Sequence, residues 1–309
     1  MKKEQIDWLK ERFPFDSIGE LPIYGSLRRF YRIFSDTGTR VVILDDNLEQ
    51  LRLFINRAKL FSSLNVNVPQ IYDYSEELHL ILEEDLGDDL LEDIINETDD
   101  KIPYYKKVID LLVGWQKRFD KDTKGYNTHK LPLYDFDFAY NETTLFINRY
   151  LRRYLDISCL SCASLKPHFV DLAERSSQIR KTLMHRDFQA RNIMWHKNQP
   201  YFVDFQTAML GPYTYDLTAL LYDNHVELRV DQKESLIDYF YEYYPGANRD
   251  DFYPVALQRT LQAISAYAFL SKEQGKKQYE QYIPRGLKHL EELSGWFGWA
   301  KVILEEVKF

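Results

Sequence analysis

The most informative stretch of the sequence is His185-Arg-Asp187-Phe-Gln-Ala-Arg-Asn192, which is followed by Tyr-Phe-Val-Asp204-Phe-Gln at residues 201–206. Apolar residues at 193–194 and 201–203 flank a polar segment, and this pattern predicts two short strands joined by a turn. Such a hairpin would bring Asn192 and Asp204 close together. The spacing therefore predicts that these polar side chains share one site.

The residue types in this stretch suit phosphoryl transfer from a nucleotide. That reaction needs a carboxylate at the attacking hydroxyl and oxygen ligands that hold magnesium across the phosphates. Asp187 can supply the first group, and Asn192 and Asp204 can supply the ligands. Because this joint spacing seldom arises by chance, two ordinary loop carboxylates are a poor explanation for it.

The stretch resembles the catalytic loop and metal motif of the protein-kinase-like fold, in its aminoglycoside phosphotransferase branch. Within that branch the chain is most similar to anomeric sugar kinases, which phosphorylate N-acetylmuramate and N-acetylglucosamine at C1. Further segments carry this similarity: the nucleotide loop at 25–32, the hinge at 82–88, the metal segment at 204–217, and the C-terminal helices at 258–262, 274–276 and 283–285. The resemblance spans nearly the whole chain.

The resemblance implies a role for each charged residue of the central stretch. Asp187 would orient and deprotonate the sugar hydroxyl, while Asn192 and Asp204 would hold Mg²⁺. Arg191 follows Asp187 closely in the chain, and its guanidinium could offset charge that develops on the transferring phosphate. An ordinary surface arginine is the alternative for Arg191.

Other residues would support the loop or contact the acceptor. By resemblance, His185 would pack beneath the loop, and Asp216 would accept hydrogen bonds from its backbone. Gln189 stands where many relatives carry histidine, and an amide cannot titrate near neutral pH as histidine does. Arg149 and Tyr215 are acceptor-binding candidates from their placement alone.

The nucleotide side departs from the protein-kinase pattern. Gly25 is the only glycine between residues 20 and 37, so arginines would have to assist the loop amides at the phosphates. The strand at 41–44 lacks the usual lysine, and the helix at 50–64 lacks its acidic partner. The expected sources of the missing charge are Arg29, Arg32 and Lys59. The predicted nucleotide contacts are Gly25, Ser26, Arg29, Arg32, Glu84 and Leu86.

Composition narrows the class of partner. The 309 residues include 48 acidic and 40 basic side chains, a net charge of −8, which disfavours binding to nucleic acid. No apolar run approaches the roughly 20 residues that cross a bilayer, and the N-terminus lacks a secretory signal. We therefore expect no membrane or nucleic-acid partner and a cytoplasmic location.

The predicted secondary structure changes near Gly87 from mostly strands to mostly helices. Before it, the patterns at 23–34, 40–44, 70–74 and 78–83 predict strands, and that at 51–64 predicts a helix. After it, apolar residues recur at helical spacing. The sequence predicts an α+β fold with two lobes, a small β-rich N-lobe at 1–86 and a larger α-helical C-lobe at 87–309, with ATP and Mg²⁺ in the cleft between them.

Three other kinds of protein share parts of this pattern. The spacing excludes one of them, and two remain open. A tyrosine protein kinase is excluded, because the segment between Asp204 and Asp216 is too short to order a protein substrate and no Ala-Pro-Glu follows. A kinase of the same branch with an aminoglycoside, choline or homoserine-like acceptor remains open. A nucleotide-binding pseudokinase module also remains open, since the usual lysine is absent.

The favoured prediction is transfer of the γ-phosphate of ATP to the anomeric C1 hydroxyl of an N-acetylated amino sugar. By resemblance, the product would be a sugar 1-phosphate in a cell wall recycling route. A sugar-1-phosphate nucleotidyltransferase would then act on it.

Overall fold

The computed structural model of the protein describes residues 1–22, 28–122, 131–157, 162–244 and 246–307. Its first elements are α1 (Lys3–Arg12), β1 (Ser17–Glu20), β2 (Arg29–Ser35), β3 (Gly38–Leu44), α2 (Leu48–Ser63), β4 (Ile71–Ser75) and β5 (Leu80–Glu84). These are followed by α3 (Leu91–Glu97), α4 (Ile102–Lys121), α5 (Phe136–Leu145), α6 (Cys162–Gln178), β6 (Lys181–Met184), β7 (Ile193–His196), β8 (Gln199–Phe202) and β9 (Met209–Pro212). The last helices are α7 (Tyr215–Leu221), α8 (Val230–Tyr243), α9 (Phe252–Lys272), α10 (Ile283–Leu293) and α11 (Ala300–Val307).

The chain divides into two compact units. The first comprises Met1–Leu91 and Asn192–Thr207, and the second comprises Glu92–Arg191 and Ala208–Phe309. The sequence prediction had placed all of residues 87–309 in one lobe. The difference arises because the segment at 192–207 folds with the N-terminal sheet and helix rather than with the helices that surround it in sequence.

A five-stranded antiparallel sheet forms the first unit, with strand order β1-β2-β3-β5-β4. The β2–β3 hairpin turns at residues 36–37, and Gly38 follows with φ of +125°, a conformation that favours glycine. One face of the sheet is packed against α1, which the sequence analysis did not predict. This core consists of Leu9, Ile33, Val42, Leu44, Leu80 and Leu82.

Helix α2 supports the segment that carries Asp204. Its N-terminus is capped by Asn47, whose side chain accepts hydrogen bonds from the backbone N–H groups of Glu49 and Gln50. The apolar face predicted from its periodicity is buried, and Phe205 packs against two of its rings. The ring centroid of Phe205 lies 4.8 Å from that of Phe54 and 5.9 Å from that of Phe61.

The second unit is mainly helical. Helix α9 is its central element, with most of its residues buried, and it packs against α5, α6, α7 and α10. A nine-residue π-helix, Phe146–Tyr154, also packs on α9. Strands β6 and β9 form an antiparallel pair, and Trp115 of α4 donates to the Leu183 carbonyl of that pair (3.3 Å).

The predicted fold class is confirmed: an antiparallel sheet occupies the N-terminal region, and the remainder is mostly helical. Among the helices of the described segments, none is both long and apolar enough to cross a membrane.

Candidate active site

The β7–β8 hairpin predicted from the sequence is present. Ile193 pairs with Phe202, and the Val203 N–H donates to the Asn192 carbonyl (3.0 Å), so the backbones of Asn192 and the residue before Asp204 are directly hydrogen-bonded. The hairpin is also tied to the rest of the first unit, because Trp195 N–H donates to the Asp89 carbonyl (2.7 Å). This places Asn192 and Asp204 at the same end of one hairpin.

Asp204 adopts a left-handed backbone conformation, with φ of +62°. Such a conformation is costly for a residue with a side chain and is common at functional sites. The Asp204 Oδ1 atom accepts a hydrogen bond from Gln206 Nε2 (2.6 Å), which fixes the direction of the carboxylate. The turn therefore presents an oriented carboxylate just beyond β8.

The donor set at this hairpin fits magnesium. A carboxylate and an amide oxygen are the hard ligands that Mg²⁺ prefers, and kinase sites hold it with one or two carboxylates plus substrate phosphates. Within the residues that the structure describes, no group of three or more His, Cys, Asp or Glu side chains could hold a metal by itself. Asn192 and Asp204 are thus suited to a metal whose coordination a bound nucleotide completes.

The backbone of the loop that carries Asp187 is hydrogen-bonded to the side chain of Asp216. The Asp216 carboxylate is fully buried and accepts hydrogen bonds from the backbone N–H groups of His185 (2.7 Å) and Arg186 (2.9 Å). Burial raises the pKa of Asp216 to about 7, and the two N–H donors oppose that rise. This contact matches the supporting role that the resemblance implied for Asp216.

Arg186, which immediately precedes Asp187, is the second strained residue of the site. Its φ is +77°, and its guanidinium lies 3.2 Å from the Glu142 carboxylate. The bond from its N–H to Asp216 and the ion pair with Glu142 hold it from two sides. Backbone strain retained in this way keeps Asp187 in one orientation.

Asp187 itself is half-exposed and lies beside a buried cation. Its side chain is 40% exposed, and its Oδ1 lies 3.9 Å from the Arg259 Nη2, while the Arg259 side chain is only 8% exposed. Arg259 Nη1 also donates to Gln262 Oε1 (2.7 Å), which orients the guanidinium along α9. Asp187 is therefore accessible to a substrate on one side and paired with a cation on the other.

Arg191 is held by a histidine and an aspartate that the sequence analysis did not single out. Its Nη1 lies 2.8 Å from His225 Nε2, and His225 Nδ1 lies 2.7 Å from Asp223 Oδ1. Arg191 is half-buried, so it is not an ordinary surface arginine.

The predicted acceptor residues differ in how much surface they offer to a ligand. Gln189 is buried, and its N–H donates to the Asp187 carbonyl (3.0 Å). Arg149 lies on the π-helix, with its guanidinium 4.3 Å from the Phe269 ring centroid and beside a surface depression of about 430 Å³. Tyr215 packs against Tyr134 and is 2% exposed, so its ring offers almost no surface to an acceptor. His185 is buried near Phe188, as the resemblance implied.

The arginines predicted at the nucleotide phosphates are paired with carboxylates of the first unit. Arg29 Nη2 lies 3.2 Å from Asp46, and Arg32 contacts Asp85 (2.7 Å) and Asp88 (2.9 Å). The third expected cation, Lys59, donates to the Tyr74 hydroxyl (3.3 Å). Gly25 and Ser26 lie outside the described residues.

The two predicted hinge residues use their backbones within the first unit. The Glu84 N–H donates to the Gln70 carbonyl (2.8 Å), and the Leu86 carbonyl lies 2.9 Å from His196 Nδ1. The Glu84 carboxylate lies 4.0 Å from Lys197 Nζ. The hinge is thereby joined to the β7–β8 hairpin.

The predicted site residues thus fall in both units. Asn192 and Asp204 belong to the first, while Asp187, Arg191 and Asp216 belong to the second. The residues that sequence reasoning missed are Glu142, Asp223, His225 and Arg259. Two signals could have identified Arg259: it lies in the segment 258–262 that carries the resemblance, and it is a charged side chain among mostly buried residues of α9.

Comparisons with known proteins give the family of the chain. Residues 25–253 match the model of the phosphotransferase enzyme family. An N-acetylmuramate/N-acetylglucosamine kinase of Pseudomonas putida is 30% identical over 93% of this chain and 90% of its own length. A kinase of the same name from Pseudomonas aeruginosa is 28% identical over 92% of this chain and 88% of its own length.

Solved structures resemble the fold at lower sequence identity. An ADP-bound aminoglycoside phosphotransferase aligns with a TM-score of 0.63 at 13% identity, covering 95% of this chain and 99% of its own. A choline kinase from Streptococcus pneumoniae aligns with a TM-score of 0.62 at 14% identity, covering 94% and 99%. These values show a shared fold. The family match over most of the chain also shows which family the protein belongs to. The chain belongs to the phosphotransferase enzyme family.

Proposed function

We propose that this protein is an ATP-dependent sugar kinase that phosphorylates the anomeric C1 hydroxyl of N-acetylmuramate or N-acetylglucosamine. The proposal takes its acceptor from the named Pseudomonas kinases, which share 28–30% identity with nearly the whole chain. The product would be a sugar 1-phosphate. A module that only binds a nucleotide would have no chemical need for a supported carboxylate such as Asp187.

The observation that carries the proposal is the support of Asp187. Asp216 accepts hydrogen bonds from the two residues that precede Asp187, and the side chain of Asp187 is 40% exposed. A general base must stand in a fixed orientation with its carboxylate open to the hydroxyl.

Asp187 orients the acceptor hydroxyl and receives its proton as the phosphoryl group is transferred. The C1 hydroxyl of a hemiacetal is more acidic than an ordinary alcohol, so a carboxylate is a sufficient base. Correct geometry matters more here than base strength. Arg259 beside Asp187 holds the carboxylate in place, and Arg191 offsets charge at the phosphate.

Asn192 and Asp204 are the residues that would hold magnesium. When bound, Mg²⁺ neutralises charge on the nucleotide phosphates. Asp204 is held in a single orientation by Gln206, which suits a ligand that must not rotate away. Gly25, Ser26, Glu84 and Leu86 are proposed nucleotide contacts by resemblance, and Arg29 and Arg32 would reach the phosphates only by leaving their carboxylate partners.

A cell wall recycling role follows if the acceptor is correct. The reaction would take place in the cytoplasm, where ATP is available. A sugar 1-phosphate is the substrate class of a nucleotidyltransferase, so an enzyme of that class would consume the product.

The test is an ADP-release assay with Mg-ATP and a panel of acceptors. The panel contains N-acetylmuramate, N-acetylglucosamine, glucose, galactose, kanamycin, choline and homoserine, and phosphorus NMR identifies each product. We expect release with the N-acetylated sugars and a sugar 1-phosphate resonance. The Asp187→Asn variant is the matched blank for contaminating kinases. Release only with kanamycin, choline or homoserine would reject the sugar assignment, and ATP binding without any release would favour a pseudokinase.

A further inference from the structure

A buried loop at residues 223–225 follows α7 and contacts the loop that carries Arg191. Asp223 is its anchor, with a fully buried side chain. Its Oδ2 accepts a hydrogen bond from the Ala190 N–H (2.8 Å), and its Oδ1 accepts from the His225 N–H (2.9 Å). Burial alone would raise the pKa of Asp223, but His225 and these N–H groups lower it overall, so the carboxylate stays charged.

The partners of His225 determine its tautomer. Nδ1 lies 2.7 Å from the Asp223 carboxylate, and Nε2 lies 2.8 Å from Arg191 Nη1. A guanidinium can only donate, so Nε2 must accept. Nδ1 must then carry the proton and donate it to Asp223. His225 is therefore neutral in this arrangement, and it links an anion to a cation without being charged itself.

Aromatic rings enclose His225. Its ring centroid lies 4.3 Å from that of Tyr282 and 5.8 Å from that of Tyr267, and its side chain is 1% exposed. The charged groups near this histidine include Asp223, Arg191 and, near Arg191, Glu92. Because the ring is packed and hydrogen-bonded at both nitrogens, it has little freedom to turn.

The loop is clamped from α10 and the turn before it. Asn224 Nδ2 donates to the Tyr282 carbonyl (3.0 Å), and Arg285 Nη1 donates to the Asn224 carbonyl (2.9 Å). At Gly286 the helix comes so near that an added Cβ would lie 2.7 Å from Asn224 Nδ2. The same Cβ would lie 2.6 Å from Ile264 Cγ1, so a side chain at Gly286 would displace the side chain of Ile264, of Asn224 or of both, and the glycine permits this close approach.

A second neutral histidine, His289, contacts the backbone carbonyl of Asp223. Lys233 Nζ donates to Glu292 (2.6 Å) and to His289 Nδ1 (3.1 Å), and His289 Nε2 donates to the Asp223 carbonyl (3.3 Å). Burial, with Lys233 beside it, lowers the pKa of His289 to about 3. His289 thus remains neutral, as its two partners require.

We propose that Asp223 and His225 are positioning residues that aim Arg191 at the transferring phosphate. The proposal rests on the proposed function, because it takes Arg191 as the cation that meets developing charge. Arginine has a long side chain with many rotamers, and ordering it during the reaction would cost free energy. The contact with His225 fixes Nη1 in advance, so that the guanidinium is already ordered when ATP binds.

The test is a double-mutant cycle between Arg191 and His225. In His225→Asn the amide can still reach Asp223 but offers no acceptor at the Nε2 position. In His225→Gln the longer side chain can place its carbonyl oxygen there. We expect His225→Asn to lower kcat about tenfold with the acceptor KM within about twofold, since one charge-assisted hydrogen bond is lost. His225→Gln should recover most of kcat.

The cycle separates positioning from packing. If His225 acts through Arg191, the variant with both Arg191→Ala and His225→Asn should be no slower than Arg191→Ala alone. Additive losses, or wild-type kcat in either His225→Asn or Arg191→Ala, would overturn the proposal. Thermal unfolding of each variant shows that it is folded, and His168→Asn, which removes a histidine stacked on Trp299, is the matched control.

A measurement without turnover keeps this proposal distinct from the choice of acceptor. Nitrogen-15 NMR of the histidine ring should show a protonated Nδ1 and an unprotonated Nε2 for His225 at neutral pH. Protonation of Nε2 would overturn the proposal whatever the substrate. If N-acetylated sugars fail as acceptors, the sugar assignment fails, and the cycle is measured with the acceptor that the panel identifies.

Discussion

The guanidinium of Arg259 lies 3.9 Å from the carboxylate of Asp187, although α9 is distant in sequence from the loop that carries the aspartate. The Arg259 cation is buried and the Asp187 carboxylate is half-exposed, so Arg259 lies on the protein side of the pair and Asp187 on the solvent side. Burial works against the charge of Arg259, but nearby groups including Tyr215 and Asp187 raise its pKa overall. Arg259 therefore remains a cation that orients Asp187 from within the second unit.

Replacing Arg259 should impair turnover more than stability. In Arg259→Gln we expect kcat to fall about tenfold, because the buried cation that faces the Asp187 carboxylate at 3.9 Å is lost. Arg259→Lys should recover part of the rate, since it keeps the charge but loses the planar fork that also donates to Gln262. Steady-state kinetics of both variants test this.

The control for Arg259 is Arg175→Gln. Arg175 lies on α6 with its guanidinium 5.4 Å from the Phe297 ring and its side chain about half-exposed. It should have near wild-type kinetics. If Arg259→Gln matches this control, the pair with Asp187 has no part in turnover.

Replacement of the base itself should have the largest effect. Asp187→Asn keeps the shape of the side chain but cannot accept the proton, so kcat should fall by about 10²–10⁴. Binding of ATP, measured by calorimetry, should change little, because the change leaves Asn192 and Asp204 intact. Turnover near the wild-type value would remove Asp187 from the mechanism.

Much of the site was predictable because its residues are close together in sequence. The β7–β8 hairpin was visible as two apolar segments around a polar turn, and it brings Asn192 to Asp204 as expected. The role of Asp216 came from the resemblance, and its hydrogen bonds to His185 and Arg186 agree with it. Local patterns thus defined both ends of the central motif.

Contacts between distant segments could not be read from local patterns. Asp223 and His225 have no periodicity or motif that connects them to Arg191. Their contact is seen only in the structure, where Arg191 Nη1 lies 2.8 Å from His225 Nε2 and His225 Nδ1 lies 2.7 Å from Asp223 Oδ1. At Tyr215, by contrast, the position in the sequence suggested a role that the burial of the ring argues against. Its position just beyond the metal motif suggested that it contacts the acceptor, but α7 is buried along its whole length, and the ring packs against Tyr134.

Arg32 provides a test of whether an arginine in the N-terminal sheet binds nucleotide or supports the hinge. Its side chain is 15% exposed, and it contacts Asp85, Asp88 and the Gly87 carbonyl. We expect Arg32→Gln and Asp85→Asn each to lower the midpoint of thermal unfolding. Their effects should not add, because either change breaks the same ion pair.

Nucleotide kinetics separate the two roles of Arg32. If Arg32 supports the hinge, the two variants should change the KM for ATP to a similar extent. If Arg32 contacts the phosphates, Arg32→Gln alone should raise this KM, while Asp85→Asn should leave it unchanged or lower it by releasing the arginine. Arg52→Gln, which breaks an exposed pair with Glu76, is the control for loss of charge.

Glu83 should make the stability of the protein depend on pH in a direction opposite to that of most carboxylates. It lies on β5 and is buried, and its Oε2 has no hydrogen-bond partner among the described residues. Burial raises its pKa to about 8 from an ordinary 4.5, with Arg28 opposing the rise. Between these values the folded chain keeps a proton that the unfolded chain releases, so stability falls as pH rises through this range.

Glu83→Gln replaces the protonated acid with a neutral side chain of nearly the same shape and removes this dependence. The variant should unfold close to the wild-type temperature at about pH 5 and above it at about pH 8.5, by a free energy on the order of a few kcal/mol at most. Thermal unfolding at both pH values measures the difference. Glu76→Gln is the matched control, because its ion pair with Arg52 lowers the pKa of Glu76, so that variant should gain nothing as pH rises. Parallel pH curves for Glu83→Gln and the wild type would mean that Glu83 is ionised in the folded protein, because only a retained proton makes stability fall with rising pH.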